Sequence, residues 1–173
     1  ICVDVHNKLK IKYKNLLTIL IPRHVHRTGK IVRQLKKLNL KIHLHNLGGK
    51  IDKDTDIYLV DSFGQTKSFF KICKTVFLGG SMIRHGGQNP LEAARLGCKI
   101  LHGPHVWNFD EIYTLLKRNK VSKKITTPNQ LTLEVDKILN SKNKNRDLEI
   151  KIKKLGNKIL ITTLNEINIY INK

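Results

Sequence analysis

The sequence is short of acid. Its 173 residues hold 13 Asp and Glu against 33 Lys and Arg, a formal net charge of +20. Such a charge favours anionic partners: phosphorylated substrates, phospholipid headgroups or nucleic acid. Most of the excess is Lys, mixed with many Ile and Asn, which reads as compositional bias plus a weak attraction to membrane surfaces. No zinc-finger spacing, RNP aromatic signature or KH-type GxxG loop is present, so no nucleic-acid partner is expected. Cysteine is scarce as well. Cys2, Cys73 and Cys98 are odd in number and form no CxxC, which argues against a disulfide framework and a cysteine zinc site. A reducing compartment fits that usage. No apolar run approaches the roughly 20 residues of a membrane helix, and no signal peptide is visible. Membrane contact is therefore expected to be peripheral, or made by a part of the protein outside this sequence. No Ser/His/Asp or Cys/His arrangement appears, and the cysteines sit in apolar contexts that suit packing.

What is present is enough for a packed fold. Hydrophobic residues make up 40% of the chain, and a domain of this size removes roughly 70% of its unfolded surface from water. The first residue is Ile1, so a fragment, a processed product or a trimmed reading frame is expected. Short apolar runs alternate with helical patterns. Strands are predicted over Leu16–Ile21, Lys41–His45, Ile57–Val60, Thr75–Leu78 and Lys99–Leu101. Helices are predicted over Thr28–Leu38, Ser68–Lys74, Pro90–Leu96 and Phe109–Asn119, with a capping-box start at Thr127 for one running to Leu139. This alternation predicts an α/β fold, a Rossmann-like parallel sheet with helices on both faces. Residues 1–140 read as one domain. Residues 141–173 read as a helical tail with Ile150, Leu155, Ile159, Leu160, Leu164 and Ile167 at helical spacing.

In parallel sheets, ligands bind beyond the carboxyl ends of the strands. The loops there are residues 22–27, 61–65, 79–89 and 101–108. The densest chemistry is Val76 to Ser81 followed by His85 to Glu92: a strand, two glycines, a polar turn with two more, then a helix start. Glycines let backbone N–H groups approach a ligand. A helix N-terminus favours phosphate. Asn89 and Glu92 lie one turn apart, and a carboxylate there can accept two hydrogen bonds from a ribose diol. The plain structural reading is a tight turn capped by Asn89. His24/His26, His43/His45 and His102/His105 are paired histidines without an evident third metal ligand, so no metal site is expected. His85 and His105 are candidate donors to a sugar. Trp107 and Phe109 read as core or loop anchors.

Residues 79–109, GGSMIRHGGQNPLEAARLGCKILHGPHVWNF, resemble the signature of the Kdo (3-deoxy-D-manno-octulosonic acid) transferases, close to GGS followed by GGxNPLEPA and GPHxxNF. Two further segments fall in the family's order. PRHVHR at Pro22–Arg27 resembles its PRHxER loop, and DSFGQ at Asp61–Gln65 its D(S/T)xGEL loop. The resemblance covers roughly Ile1 to Val135. It implies the C-terminal half of a GT-B glycosyltransferase, holding the CMP part of CMP-Kdo. Carried over by position, the nucleotide-contacting residues are Pro22, Arg23, Phe63, Gly64, Gln65, Asn89, Pro90, Leu91 and Glu92. Arg23 offers a permanent cation with a bidentate fork for phosphate.

The family's reaction moves Kdo from CMP-Kdo to a lipid A precursor in lipopolysaccharide synthesis, at the cytoplasmic face of the bacterial inner membrane. It implies no cofactor and no metal. The general base and membrane anchor belong to the family's N-terminal domain, so no catalytic residue is assigned here and the chain alone is expected to be inactive. The chain is expected to begin inside the first helix of the C-terminal domain, without its opening strand. Gln65 and His26 stand where the family usually has Glu, and Arg84 and Ala93 where it often has Pro. The rival readings are another GT-B nucleotide-sugar enzyme, a non-catalytic remnant of a split gene, and a basic nucleic-acid-binding protein.

Overall fold

The computed structural model describes residues 1–73, 75–141, 150–157, 161, 164 and 165. The chain groups into two compact units. One comprises residues 1–69 and 127–137, the other residues 70–126 and 138–173.

The first unit opens with α1 (Cys2–Lys12), followed by β1 (Thr18–Leu20), α2 (Thr28–Lys37), β2 (Ile42–Leu44) and β3 (Ile57–Leu59). Its strands form a wholly parallel sheet in the order β1-β3-β2, with Leu20 and Leu44 both opposite Leu59. The central strand alternates as a half-buried pattern demands: Ile57 and Leu59 are buried and Tyr58 between them is not. Ile31, Val32 and Leu35 recur at helical spacing on α2 and pack with Ile57 and Leu59.

Helix α1 is tied down by polar groups. The buried His6 Nδ1 lies 2.8 Å from Thr18 Oγ1, and Lys10 donates to Leu16 O at 2.9 Å and pairs with Asp56 at 3.1 Å. Asp56 also accepts from the Lys41 N–H at 3.0 Å. Burial raises the Asp56 pKa, but the bonds from Lys41, Lys10 and His6 outweigh it and leave the carboxyl below its usual value. Helix α6 (Pro128–Asn140) contributes its residues up to Lys137 to this unit. Asp136 on it receives Lys12 at 2.8 Å and the Tyr13 hydroxyl at 2.7 Å. Thr127 Oγ1 accepts from the Gln130 N–H at 3.2 Å, as the capping signal predicts.

The second unit holds β4 (Thr75–Leu78), α4 (Leu91–Arg95), β5 (Lys99–His102), α5 (Asp110–Arg118) and β6 (Ser122–Lys124). Helix α3 (Thr66–Ile72) spans the boundary between the units. The strands are again all parallel, in the order β4-β5-β6. Ala93, Ala94, Cys98, Ile100, Leu116 and Val121 form the centre of the core. Cys98 donates its thiol to the carbonyls of Phe70 and Cys73, each at 3.2 Å. Burial, with a smaller contribution from Cys73, pushes that thiol up to about 11.

The α/β class and the parallel strands are as expected. Strand β6 is an addition that the sequence reading lacked. In the tail, residues 150–157 are helical. The buried residue there is Ile152, not Ile150. Two positions apart on a helix is about 200° of rotation, so burying Ile152 turns Ile150 outward and leaves Leu155 half-buried. Ile159, Leu160 and Ile167 lie outside the described residues.

Candidate functional site

The nine candidate nucleotide residues fall in two groups, five on the first unit and four on the second. On the first unit, β1 and β3 are parallel neighbours, so the loops that follow them leave the sheet at the same end. Pro22 is half-buried, while Arg23, His24 and His26 are exposed. The chain turns through a 3-10 turn at Val25–Arg27, closed by Arg27 N–H to His24 O at 3.0 Å and Thr28 Oγ1 to Val25 O at 2.6 Å. This brings the chain into α2 at once and leaves Arg23 free to reach a ligand.

After β3, Asp61 accepts from the Asn46 N–H at 2.9 Å and, through its carbonyl, from Asn46 Nδ2 at 3.1 Å. Gly64 sits at φ +79°, a conformation that L side chains resist. Gln65 O accepts from the N–H groups of Ser68 and Phe69, starting α3. Phe63 between them is 76% exposed, and the buried Ser62 hydroxyl has no partner among the described residues.

The second unit carries its loops after β4 and β5, whose last residues Leu78 and His102 are paired. These loops are laced together. Fully buried Ser81 donates its hydroxyl to Leu78 O at 2.6 Å and accepts from the Gly103 N–H at 2.7 Å. Ser81 O accepts from the His105 N–H at 2.9 Å, and Gly86 O from the Asn108 N–H at 3.3 Å. A Cβ at Gly103 would stand 2.2 Å from Ser81 O, and one at Gly86 2.2 Å from Asn108 Nδ2. The loop then runs to Asn89, whose Oδ1 accepts from the Leu91 N–H at 3.0 Å. Pro90 is fully buried, whereas Leu91 and Glu92 are exposed on the first turn of α4. Tyr113 on α5 donates its hydroxyl to Gln88 O at 2.9 Å. Its burial pushes that hydroxyl well above its ordinary pKa, so it is a donor at any working pH.

Asn89 thus has the capping role that the plain reading gave it, and the Glu92 carboxylate has no partner among the described residues. Ser81, Gly103, Asn108 and Tyr113 hold the turn. Their sequence signal was weak: a serine amid glycines, and one tyrosine on an otherwise apolar helix face.

Of the paired histidines, His43, His45 and His102 are taken up in packing, while His24 and His26 are exposed. His43 stacks on Tyr58 with ring centroids 5.2 Å apart, and His45 Nδ1 lies 2.8 Å from the Tyr58 hydroxyl. Buried His102 bonds Gly103 O through Nδ1 at 2.7 Å and lies against Tyr113. Its burial lowers its pKa, partly offset by that bond. His85 is exposed, and His105 meets the edge of Trp107. Trp107 is not a core anchor, since it is 54% exposed. Phe109 does pack on the core. Among the described residues no group of three or more His, Cys, Asp or Glu is placed to hold a metal.

A 3-deoxy-D-manno-octulosonic acid transferase of Haemophilus influenzae is 34% identical over 138 residues, 79% of this chain and 32% of that protein. Over most of its length the chain is thus similar to part of a Kdo transferase. A second Kdo transferase, from Rickettsia typhi, is 31% identical over 143 residues, 83% of this chain and 31% of its own length. The chain therefore spans about a third of the length of the curated Kdo transferases it matches. No protein-family profile matches it. The crystal structure of the C-terminal CMP-Kdo binding domain of WaaA from Acinetobacter baumannii superposes with a TM-score of 0.79 at 24% identity, covering 88% of this chain and 79% of that domain. The two share a fold. Of the positions that depart from the family pattern, Ala93 is fully buried in the core, while Arg84 and His26 are exposed.

Proposed function

We propose that this chain is the donor-binding part of a GT-B Kdo transferase, which moves Kdo from CMP-Kdo to a lipid A precursor at the cytoplasmic face of a bacterial inner membrane. The observation that carries the reading is the 34% identity over 138 residues to a named Kdo transferase. Pro22, Arg23, Phe63, Gly64 and Gln65 on one unit, and Asn89, Pro90, Leu91 and Glu92 on the other, are the proposed nucleotide contacts.

Their chemistry suits CMP. The exposed Arg23 guanidinium matches a phosphate with two parallel bonds. Gly64 brings the backbone close, and the exposed ring of Phe63 gives a base an apolar face. Glu92 accepts from ribose hydroxyls. The acceptor hydroxyl also has to lose a proton, and a positioned base contributes about 10²–10⁴-fold. Glu92 is engaged by ribose in this reading, so that base is assigned to the rest of the protein. Here the chain binds and orients the donor and stabilises the leaving phosphate.

Calorimetry with CMP, CMP-Kdo, UMP and AMP at two salt concentrations tests it. Preference for CMP and CMP-Kdo that survives moderate salt is expected. Equal binding of all three mononucleotides, lost with salt, overturns the reading. Transfer to a lipid A precursor is expected only when the remaining part of a homologous enzyme is added, and turnover by the chain alone would contradict the division of labour.

A further inference from the structure

Between Asp4 and Asp52 there is no acidic residue, although this stretch holds twelve Lys and Arg. Six of these cations, Arg23, Arg27, Lys30, Arg33, Lys36 and Lys37, lie on or just before α2, and all six are exposed. None of their side chains makes a hydrogen bond or ion pair among the described residues. Lys30, Arg33, Gln34 and Lys37 line one shallow surface cleft. The other half of α2 is already used, since Ile31, Val32 and Leu35 pack in the core. Lys30, Arg33 and Lys37 therefore form a basic row about 10 Å long, flanked by Arg27 and Lys36 and closed at its end by Leu38, which is 56% exposed. Burying that many like charges against protein would be costly, and isolating them in water leaves them repelling one another.

We propose that the outward face of α2, from Arg27 to Lys37, is a docking surface for an anionic phospholipid bilayer. Clusters of four to eight Lys or Arg on an amphipathic helix, with their apolar side otherwise engaged, match the charge of such a surface. Single-stranded nucleic acid is the weaker fit, because it calls for aromatic platforms, and no Phe, Tyr or Trp lies between Tyr13 and Tyr58. The same element begins at the Pro22–Arg23 loop, so docking would hold that loop beside the bilayer that carries a lipid acceptor. That purpose rests on the donor-binding reading; the docking itself does not.

The test is sedimentation of the chain with vesicles of equal parts phosphatidylcholine and phosphatidylglycerol, and with pure phosphatidylcholine. Binding to the anionic vesicles alone is expected. The variant K30Q/R33Q/K37Q should bind them on the order of a hundredfold less, from about 1 kcal/mol per cation at 1.4 kcal/mol per tenfold. Its melting temperature and CMP affinity should be unchanged. A control of equal charge loss, K71Q/K117Q/R118Q, should lose much less. An equal loss in the control would show that net charge alone drives binding, and would overturn the proposal. So would single-stranded RNA binding that falls more than vesicle binding in the α2 variant. Loss of CMP specificity in the unmodified chain would instead count against the donor reading and leave vesicle binding to be judged separately.

Discussion

The two sets of loops solve the same problem in opposite ways. On the second unit, the turns after β4 and β5 are fastened by buried hydrogen bonds through Ser81 and Gly103 and by the close approach of Gly86 to Asn108. On the first unit, the loops after β1 and β3 leave Arg23 and Phe63 exposed and the Ser62 hydroxyl without a partner among the described residues. A fastened loop presents its groups in one geometry and loses little entropy when a ligand arrives. An open one bears the ordering cost at binding. Substitutions in the first set should therefore act mainly on affinity, and in the second mainly on stability.

The strongest attempt to break that contrast is Gly103→Ala. Its Cβ would meet backbone, not a flexible side chain, so both loops must move. A loss of about 3 kcal/mol or more of stability is expected, read by urea denaturation. Gly64→Ala meets nothing within 4 Å and is strained only by its positive φ, so it should cost about 1–2 kcal/mol.

Arg23→Ala should reverse the pattern. About 1.5–3 kcal/mol of CMP affinity should disappear, measured by calorimetry, with the melting temperature unchanged. A melting temperature that fell in step would show that Arg23 is structural and would dissolve the comparison.

Ser81→Ala sharpens it. The Gly103 N–H would be left buried and unpaired, costing about 1–3 kcal/mol in the same denaturation assay. Recovery by Ser81→Thr is expected to be incomplete, because the site is fully buried and an added methyl group overpacks a close-packed core.

The smallest effect concerns pH. Burial holds the His6 pKa down, and Asp56 opposes this only weakly because Nε2 to Oδ1 is 3.5 Å. As pH falls below about 6.5, the unfolded chain takes up a proton that folded His6 refuses. Stability should drop from there down to the folded pKa and then level off. His102 on the second unit behaves alike. Urea midpoints at pH 7.5 and 5.5 should thus converge in stages for His6→Gln and then His6→Gln/His102→Gln. If neither substitution flattens the slope, other groups control it.

Much of the fold was legible because the strands are short apolar runs and α2 and α5 carry one clean apolar face. Helix α1 gave no such signal. Its CVDVHNKLKIK mixes β-branched and charged residues without a wide stripe, and polar ties through His6 and Lys10 hold it in place. Only the family resemblance pointed to a helix there. Strand β6 hid because two of its three residues are exposed lysines. The site loops were legible from glycines and from motif order. Their internal fastening was not, since nothing in the chain's order says that Ser81 will face Gly103.

One connection has a bearing on how the chain is made. Lys12 bonds Asp136 across 124 positions of sequence, and Tyr13 reaches the same carboxylate. At roughly 5–20 residues per second, a ribosome needs roughly 6–25 seconds to pass from one partner to the other. During that interval α1 and the sheet of its unit exist without α6, while all the strands of the other unit emerge in between. Contacts so distant in sequence form late. A nascent chain must therefore keep α1 from wrong partners until α6 has left the ribosome.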